Sequence, residues 1–357
     1  MRLERIVPGT APRNDLDGAV LVRDLVVDGD RWSKGRRLTA ADLHALAGAT
    51  DVRRIGKHRP GAGIPVLIVE PGELHEDEAG VRLAQAVSAG DPGLVLRGPN
   101  ESRVDLVAAA DGVVAIRIGA LERLNAIDPL EVFTVFDGQI VRTGDIVASV
   151  KVGPHVVPAS TVERGMALAG RGGPLVRLRP FTQRNVAVLV KESVTGQARE
   201  RFETSVRTKV EGLGSTMTSI QYVADESGAV IEALRPLTRG PGRADLILTA
   251  GGASTDPDDP FYVAVRALRG RVERRGVPAH PGSMVWLGRV GRTTIVGLPT
   301  CGAYSKATAA DLLLPRLLVG EPATAATVAK LGHGGILTRS MRFRFPAYAR
   351  DLDAPDG

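Results

Sequence analysis

Short apolar runs alternate with segments of helical periodicity in the second half of the chain. The stretches that contain these runs are NVAVLV (185–190), SIQYVADES (219–227) and ADLILTAGG (244–252). The helical segments that follow them lie at 198–214, 228–237 and 261–270. Strands that alternate with helices are typical of a parallel sheet with helices on both faces. The pattern therefore predicts a three-layer αβα domain with a mostly parallel sheet.

Two further patterns complete this predicted domain. Residues 283–299 (SMVWLGRVGRTTIVGLP) have the pattern of a hairpin that turns near Gly291. Residues 305–320 have a helical pattern that contains Pro315. Proline removes a backbone hydrogen bond inside a helix, so we expect this last helix to be kinked.

The first half has shorter apolar runs, more turn signals and fewer helical segments. Residues 39–48 predict a helix with Thr39 as its N-cap. Asp111–Gly112 and Asp137–Gly138 each stand between two apolar runs, which is the pattern of a two-residue hairpin turn. The first half is therefore predicted to be a β-rich, mixed α+β domain.

The best candidate for a linker is GRGGP at 170–174, because three glycines and a proline cannot continue a regular element. We therefore predict a β-rich N-terminal domain at 1–173, an α/β domain at 174–340 and a C-terminal tail at 341–357. The overall fold class is α/β.

Composition indicates a globular protein, with 43% hydrophobic and 24% charged residues among 357. The single cysteine, Cys301, excludes an intramolecular disulfide and a zinc site built from cysteines. The N-terminus has no apolar signal-like region, and no apolar run is long enough to span a bilayer. We expect a cytoplasmic protein without a membrane partner.

The net charge of +6 raises the possibility of a nucleic-acid partner. Aromatic residues make up only 4% of the chain and the arginines are scattered, so neither a stacking platform nor a basic helix face is evident. We expect no nucleic-acid binding. Solvated arginines explain the charge, with an anionic small ligand as the other option.

Candidate chemistry lies where the predicted parallel strands end, since ligands of open α/β sheets bind outside the carboxyl ends of the strands. Gly251 and Gly252 follow the third strand and can form an anion-binding nest of N–H groups. The hydroxyls of Thr249, Ser254 and Thr255 could be additional donors. The alternative is that the two glycines only make a turn.

Aspartates accompany these glycines. Asp225 follows the second strand, and Asp256 and Asp259 follow the glycine pair. Each aspartate could simply cap a helix. Together they could hold a magnesium ion that bridges to phosphate oxygens, or accept paired hydrogen bonds from an amino-pyrimidine edge.

Two later loops should lie beside the same crevice. The first contains Pro281 and Gly282. The second, GLPTCGAYSK (297–306), leads into the last helix, where Ser305 and Lys306 could contact an anion at the helix N-terminus. The alternative for the second loop is a plain connection between hairpin and helix.

These loops, in this order, resemble the molybdopterin-binding domain shared by molybdopterin adenylyltransferases and molybdopterin molybdotransferases. The matching stretches are VADES, DLILTAGGASTDPDD, GVPAHPGSMVWLGRV and TIVGLPTCG. The resemblance implies that Asp225 and Asp259 line a pterin-phosphate site. It also implies that a phosphate is held by the glycine loop and the loop before the last helix: Gly251, Gly252, Ser254, Pro299, Thr300, Ser305 and Lys306.

The resemblance extends to 18–46, 124–158 and the LGHGGIL stretch at 331–337. These segments are similar to the molybdopterin-binding half of bacterial proteins that are often fused to a nucleotidyltransferase. Ala253 and Ser254 depart from the Gly-Gly-Thr-Gly loop usual in the adenylyltransferases. Thr300 to Gly302 depart from the Gly-Asn-Pro loop end usual in the molybdotransferases. The resemblance therefore supports an inference about the class of ligand better than one about the reaction, and we assign no catalytic residue.

The resemblance implies a protein that binds molybdopterin or the finished molybdenum cofactor and acts in its biosynthesis, maturation or handover. Molybdate insertion and nucleotidyl transfer are both open. Mg²⁺ held by Asp225 and Asp259, an apo-molybdoenzyme or a nucleotidyltransferase as partner, and a homo-oligomer are further expectations. The alternatives are a hydrolase or amidase for a pyridine-nucleotide-like substrate, and a non-catalytic interaction protein with a vestigial site.

Overall fold

The chain folds into two compact units. The computed structural model describes residues 1–55, 63–191, 196–252, 254–299 and 307–350. The first unit comprises 1–109, 114–137 and 143–178, and the second comprises 110–113, 138–142 and the chain from Arg179 on. None of the helices in the described ranges is both long and apolar enough to cross a membrane. The domain boundaries drawn from the sequence stay a prediction.

The elements up to Pro180 are mostly short strands. The strands are β1 (Arg2–Ile6), β2 (Val20–Leu21), β3 (Leu25–Val27), β4 (Asp30–Trp32), β5 (Val52–Arg54), β6 (Ile64–Ile68), β7 (Glu73–His75), β8 (Leu94–Asn100), β9 (Arg103–Ala108), β10 (Gly112–Ile116), β11 (Leu130–Thr134), β12 (Ile140–Val141), β13 (Ile146–Val152), β14 (Val156–Pro158) and β15 (Val176–Pro180). The helices are α1 (Ala40–Gly48), α2 (Glu76–Ser88), α3 (Ile118–Asn125) and α4 (Ala159–Gly170), with a 3-10 turn at Asn14–Leu16.

The first unit is built from small antiparallel sheets, as its β-rich pattern predicts. Its largest sheet has the strand order β11-β13-β9-β8, and α2 packs against three of these strands and against α4. Thr39 caps α1, since its Oγ1 accepts the N–H of Asp42 at 3.2 Å and Asp42 Oδ2 accepts the N–H of Thr39 at 2.9 Å. The predicted N-cap is therefore confirmed.

Both hairpins predicted at Asp-Gly pairs are wrong. β9 pairs with β8 and β13, whereas β10 pairs with β12, so Asp111–Gly112 joins strands of different sheets. β11 pairs with β13, so Asp137–Gly138 also joins two sheets. A Cβ at Gly112 would collide with the carbonyl of Arg179, so a close backbone approach requires this glycine. Asp137 Oδ1 accepts the N–H of Ile116 at 2.9 Å.

The second unit contains the larger sheet. Its strands are β16 (Asn185–Val190), β17 (Thr216–Tyr222), β18 (Leu246–Ala250), β19 (Arg271–Arg275), β20 (Trp286–Val290) and β21 (Thr293–Gly297). Its helices are α5 (Gly196–Glu211), α6 (Ser227–Thr238), α7 (Pro260–Ala267), α8 (Ala309–Leu318), α9 (Ala325–Ala329) and α10 (Ala347–Arg350), with a 3-10 helix at Arg339–Arg344.

This sheet is mostly parallel, with the strand order β17-β16-β18-β21-β20-β19. β17, β16, β18 and β21 are parallel to one another, while β20 and β19 are antiparallel additions at one side. β20 and β21 form the predicted hairpin, which turns at Gly291. The carboxyl ends of β16, β17 and β18 therefore meet at one edge of the sheet, called here the carboxyl edge.

Helices cover both faces of the sheet, which confirms the predicted three-layer αβα arrangement. Alternate residues of β16 divide between two cores: Val188 packs with Phe202 of α5 and Leu313 of α8, whereas Leu189 packs with Val230 of α6 and Val265 of α7. A strand that contributes to a core on each face is typically a continuous apolar run, as NVAVLV is. The predicted proline, Pro315, lies inside α8.

Candidate functional site

A buried lysine joins two of the predicted aspartates at the carboxyl edge. Lys191 directly follows β16, Asp225 lies three residues after β17, and Asp259 lies between β18 and α7. The ammonium nitrogen Nζ of Lys191 is 2.7 Å from Asp225 Oδ1 and 2.9 Å from Asp259 Oδ2. Here these three residues are called the Lys191 cluster.

Strand pairing fixes the position of Lys191. The N–H of Lys191 donates to the carbonyl of Ala250 at 3.0 Å, and the N–H of Val223 donates to the carbonyl of Val190 at 2.9 Å. The first bond extends the pairing of β16 with β18 by one residue, to Lys191, and the second extends the pairing of β16 with β17 by one residue past the end of β17. The lysine side chain therefore starts from a rigid backbone between the two aspartate loops.

The three side chains differ greatly in exposure. Lys191 and Asp259 are 4% and 3% exposed, whereas Asp225 is 66% exposed. Burial alone lowers the pKa of Lys191, but hydrogen bonds and charge attraction from Asp225 and Asp259 outweigh it and raise the pKa above its ordinary value of 10.5. Lys191 is therefore a fixed cation at neutral pH.

Asp259 has two structural tasks at once. Its Oδ1 accepts the N–H of Phe261 at 2.8 Å, so it caps α7, and its Oδ2 accepts from Lys191. Pro260 occupies the first turn of α7, where its missing N–H costs nothing. Asp259 can therefore cap α7 and pair with Lys191 at the same time. Asp225 contacts Lys191, whereas the N-cap of α6 is Glu226, whose side chain makes no capping bond.

The predicted glycine loop lies beside the cluster. Gly251 has φ +83°, a conformation that favours glycine, and a Cβ on Gly252 would lie 3.2 Å from the Phe261 ring. Thr249 is buried in β18, and its carbonyl accepts the N–H of Leu298 at 2.8 Å. The two glycines thus allow the chain to pass closely over the start of α7.

The other predicted residues of this loop have internal partners. The carbonyl of Ser254 accepts the Tyr262 hydroxyl at 2.9 Å. Asp256 Oδ1 accepts the N–H of Asp258 at 2.9 Å, so this carboxylate closes a local turn. Within the described residues, Asp256 does not pair with Lys191, whereas Asp225 and Asp259 do.

Pro281 and Gly282 pack against the start of α8. The carbonyl of Pro281 accepts the N–H of Ala309 at 2.9 Å, and Gly282 has φ +95° beside Thr308. Thr308 Oγ1 accepts from Ala310 and Asp311 Oδ2 accepts from Thr308, so this helix start is closed by its own buried cap.

The last predicted positions belong to the loop after β21. Pro299 follows Leu298 directly behind that strand. Thr300, Ser305 and Lys306 lie outside the described residues. Because the described N–H groups at the start of α8 already have partners, the phosphate contact expected at this helix stays a prediction about those three positions.

The residues present fit a magnesium ion poorly. Asp225 and Asp259 do converge, but the Lys191 ammonium lies between them, where a cation would have to bind. Asp259 uses both of its oxygens for Lys191 and the helix cap. Over the described parts of the chain, no group of three or more His, Cys, Asp and Glu side chains is placed to hold a metal. The expected Mg²⁺ stays a prediction that this geometry does not favour.

Lys191 is the residue that the sequence reasoning did not assign to the site. The available signal was a lysine placed directly after five apolar residues of a predicted buried strand. A lysine at such a position is rarely buried unless it is paired with carboxylates. Strand order supplies the partners, since β16 lies between β17 and β18.

Comparison with known proteins agrees with the resemblance seen in the loops. Residues 186–319 match the family model described as "Probable molybdopterin binding domain". Among solved structures, the molybdopterin biosynthesis MoeA protein from Pyrococcus horikosii is 13% identical over 74% of this chain and 78% of that chain, with a TM-score of 0.30. The molybdopterin biosynthesis enzyme MoaB from Thermus thermophilus is 23% identical over 39% of this chain and 98% of that chain, with a TM-score of 0.29. No curated protein matches the chain.

Proposed function

We propose that this protein binds molybdopterin or the finished molybdenum cofactor at the carboxyl edge and acts in the biosynthesis, maturation or handover of that cofactor. The family match of residues 186–319 supports the ligand class. The position of the proposed ligand site is supported by the Lys191 cluster, in which an exposed carboxylate and a buried ammonium lie beside the glycine loop.

Within this proposal the two aspartates have different tasks. Asp225 is largely exposed, so its carboxylate is available to accept paired N–H groups from the amino-pyrimidine edge of a pterin. Asp259 is buried and holds Lys191 in place. Lys191 has three N–H donors, of which two bond to the aspartates, and the third can serve a ligand oxygen.

The test is anaerobic purification from a host that makes the cofactor, followed by pterin fluorescence after oxidation and by metal analysis. We expect the parent protein to retain pterin and Asp225→Asn to lose most of it. Glu226→Gln is the matched control, since it removes one negative charge from the neighbouring exposed residue, and it should retain pterin at the level of the parent. Equal retention by the parent and Asp225→Asn would refute the residue assignment.

The same preparations separate the alternatives. A bound ligand at about 100 times its Kd raises the unfolding free energy by about 2.7 kcal/mol. A non-catalytic interaction protein with a vestigial site would show no such rise. A hydrolase or amidase would turn over a pyridine-nucleotide-like substrate without retaining pterin.

The reaction step and the protein partners belong to this proposal as well. If the protein is an enzyme, we expect a transferase of the molybdate-insertion or nucleotidyl-transfer type. Incubation of the pterin-loaded protein with molybdate or with a nucleoside triphosphate distinguishes molybdate insertion from nucleotidyl transfer. The same incubations with and without Mg²⁺ test whether the reaction depends on this metal. The expected homo-oligomer and the expected contact with an apo-molybdoenzyme or a nucleotidyltransferase are tested by light scattering and co-purification.

A further inference from the structure

A cavity of about 280 Å³ opens at the edge of the large sheet opposite the Lys191 cluster. Arg184 and Asp245 line it from the positions directly before β16 and β18, and Thr294 lines it from the start of β21. Parallel strands begin at the same edge, so the cavity lies across their amino ends. It is called here the amino-edge cavity, and it lies within the second unit.

The lining of this cavity is strongly basic. Five arginines line it: Arg184, Arg243, Arg271, Arg289 and Arg292. Three carboxylates also line it, Asp245, Glu273 and Glu321, so the lining has an excess of two positive charges. An excess of guanidinium groups around a concave surface concentrates anions there.

The carboxylates of the lining are already engaged. Asp245 accepts from Arg243 at 3.2 Å with one oxygen and from the N–H of Asn185 at 3.1 Å with the other. Glu321 pairs with Arg316 at 3.1 Å and with Lys330 at 3.2 Å, two cations outside the lining. Glu273 pairs with Arg271 and, at 3.5 Å, with Arg289, two arginines of the lining. Within the described residues, none of the three carboxylates therefore pairs with Arg184 or Arg292.

Two arginines consequently keep unused donors. Arg184 donates from Nε to the carbonyl of Leu318 at 3.5 Å, a long bond, and within the described ranges it pairs with no carboxylate. Arg292 has no hydrogen bond or ion pair with any described residue. A guanidinium has five N–H donors in a planar fork, which matches the oxygens of a phosphate group.

We propose that the amino-edge cavity binds a small phosphate-bearing anion, with Arg184 and Arg292 as the principal contacts. Its volume is near the lower limit of ligand pockets, roughly 300 Å³, so it suits one or two phosphate groups on a small body rather than a dinucleotide. The site does not depend on the proposed pterin function, because none of its lining residues belongs to the Lys191 cluster.

The experiment is calorimetric titration of the full-length protein with inorganic pyrophosphate, with sulfate as the comparison anion. We expect saturable pyrophosphate binding that Arg184→Gln/Arg292→Gln weakens at least about tenfold. The control Arg201→Gln/Arg274→Gln removes the same charge from two exposed arginines outside the cavity and should bind as the parent does.

Each other outcome overturns the proposal. Pyrophosphate binding that is unchanged in Arg184→Gln/Arg292→Gln would place the anion elsewhere, including at the glycine loop. An equal loss in the control variant would mean that overall charge, not the cavity, attracts the anion. Sulfate binding as tight as pyrophosphate binding would refute a site for phosphate-bearing ligands. Thermal unfolding with and without pyrophosphate shows that both double variants are folded.

Discussion

Replacement of Lys191 by methionine tests the Lys191 cluster most directly. Methionine keeps most of the length of the side chain and removes the charge. The pair with Asp259 is buried on both sides, and loss of one partner from such a pair costs about 3 to 5 kcal/mol, because the other charge stays buried without compensation. The pair with Asp225 is largely exposed on one side, so its loss adds at most about 1 kcal/mol.

The hydrogen bond from Phe261 to Asp259 persists in the variant and offsets part of this cost. We therefore expect Lys191→Met to lower the unfolding free energy by about 3 kcal/mol. Urea unfolding followed by the fluorescence of buried Trp286 measures this change in the second unit. A Trp32→Phe background removes the signal of the other tryptophan, which lies in the first unit.

A second variant separates the charge from the packing. In Lys191→Met/Asp259→Asn the carboxylate is gone, while the amide oxygen can still cap α7. This double variant should be more stable than the sum of the two single variants predicts. Lys330→Met removes a lysine that is 53% exposed from its pair with Glu321 and should cost at most about 1 kcal/mol. If Lys191→Met costs no more than Lys330→Met, or if the double variant is additive, the buried ion pair does not exist in solution.

Two further predictions concern pH and backbone strain. The pKa of Lys191 is raised in the folded state, so the stability it contributes is fully present below pH 10.5 and is lost as pH rises through the higher pKa of the folded state. The unfolding free energies of the parent and of Lys191→Met, measured by urea titration, should therefore converge at alkaline pH. Gly282→Ala should cost about 2 to 4 kcal/mol, because φ is +95° and the new Cβ would lie 2.6 Å from Thr308 Cβ. Gly240→Ala has φ +79° with open space around it and should cost only about 1 kcal/mol in the same assay, and equal costs would exclude the clash.

The strands β16 and β18 were predictable because they are buried on both faces of the sheet. NVAVLV and LILTA contain few polar residues and are too short for a buried helix, so their type as strands follows from composition and length. In contrast, β17 was predicted at 219–227 and lies at Thr216–Tyr222 with one buried residue, and β19 had no counterpart in the predicted pattern. The parallel order then brings Asp225 and Asp259 to one edge. The hairpins predicted at the Asp-Gly pairs of the first half were wrong because a turn signal predicts a bend in the chain but does not determine which strands pair. Partner choice in that half depends on packing between segments distant in sequence.

The Lys191 cluster also bears on how carboxylates could line a loop that is predicted to bind an anion. Two bare aspartates would repel a phosphate, but Lys191 neutralises one of them, and Asp259 also lies at the N-terminus of α7, whose dipole is positive there. The cluster as a whole has a formal charge of −1, and that charge is concentrated on the exposed Asp225. A ligand that is cationic or rich in N–H groups at one end and anionic at the other would meet Asp225 and the glycine loop separately. Periodicity places Asp225 and Asp259 at one edge, but only the side-chain geometry shows that Lys191 joins them, and that one carboxylate is buried and the other exposed.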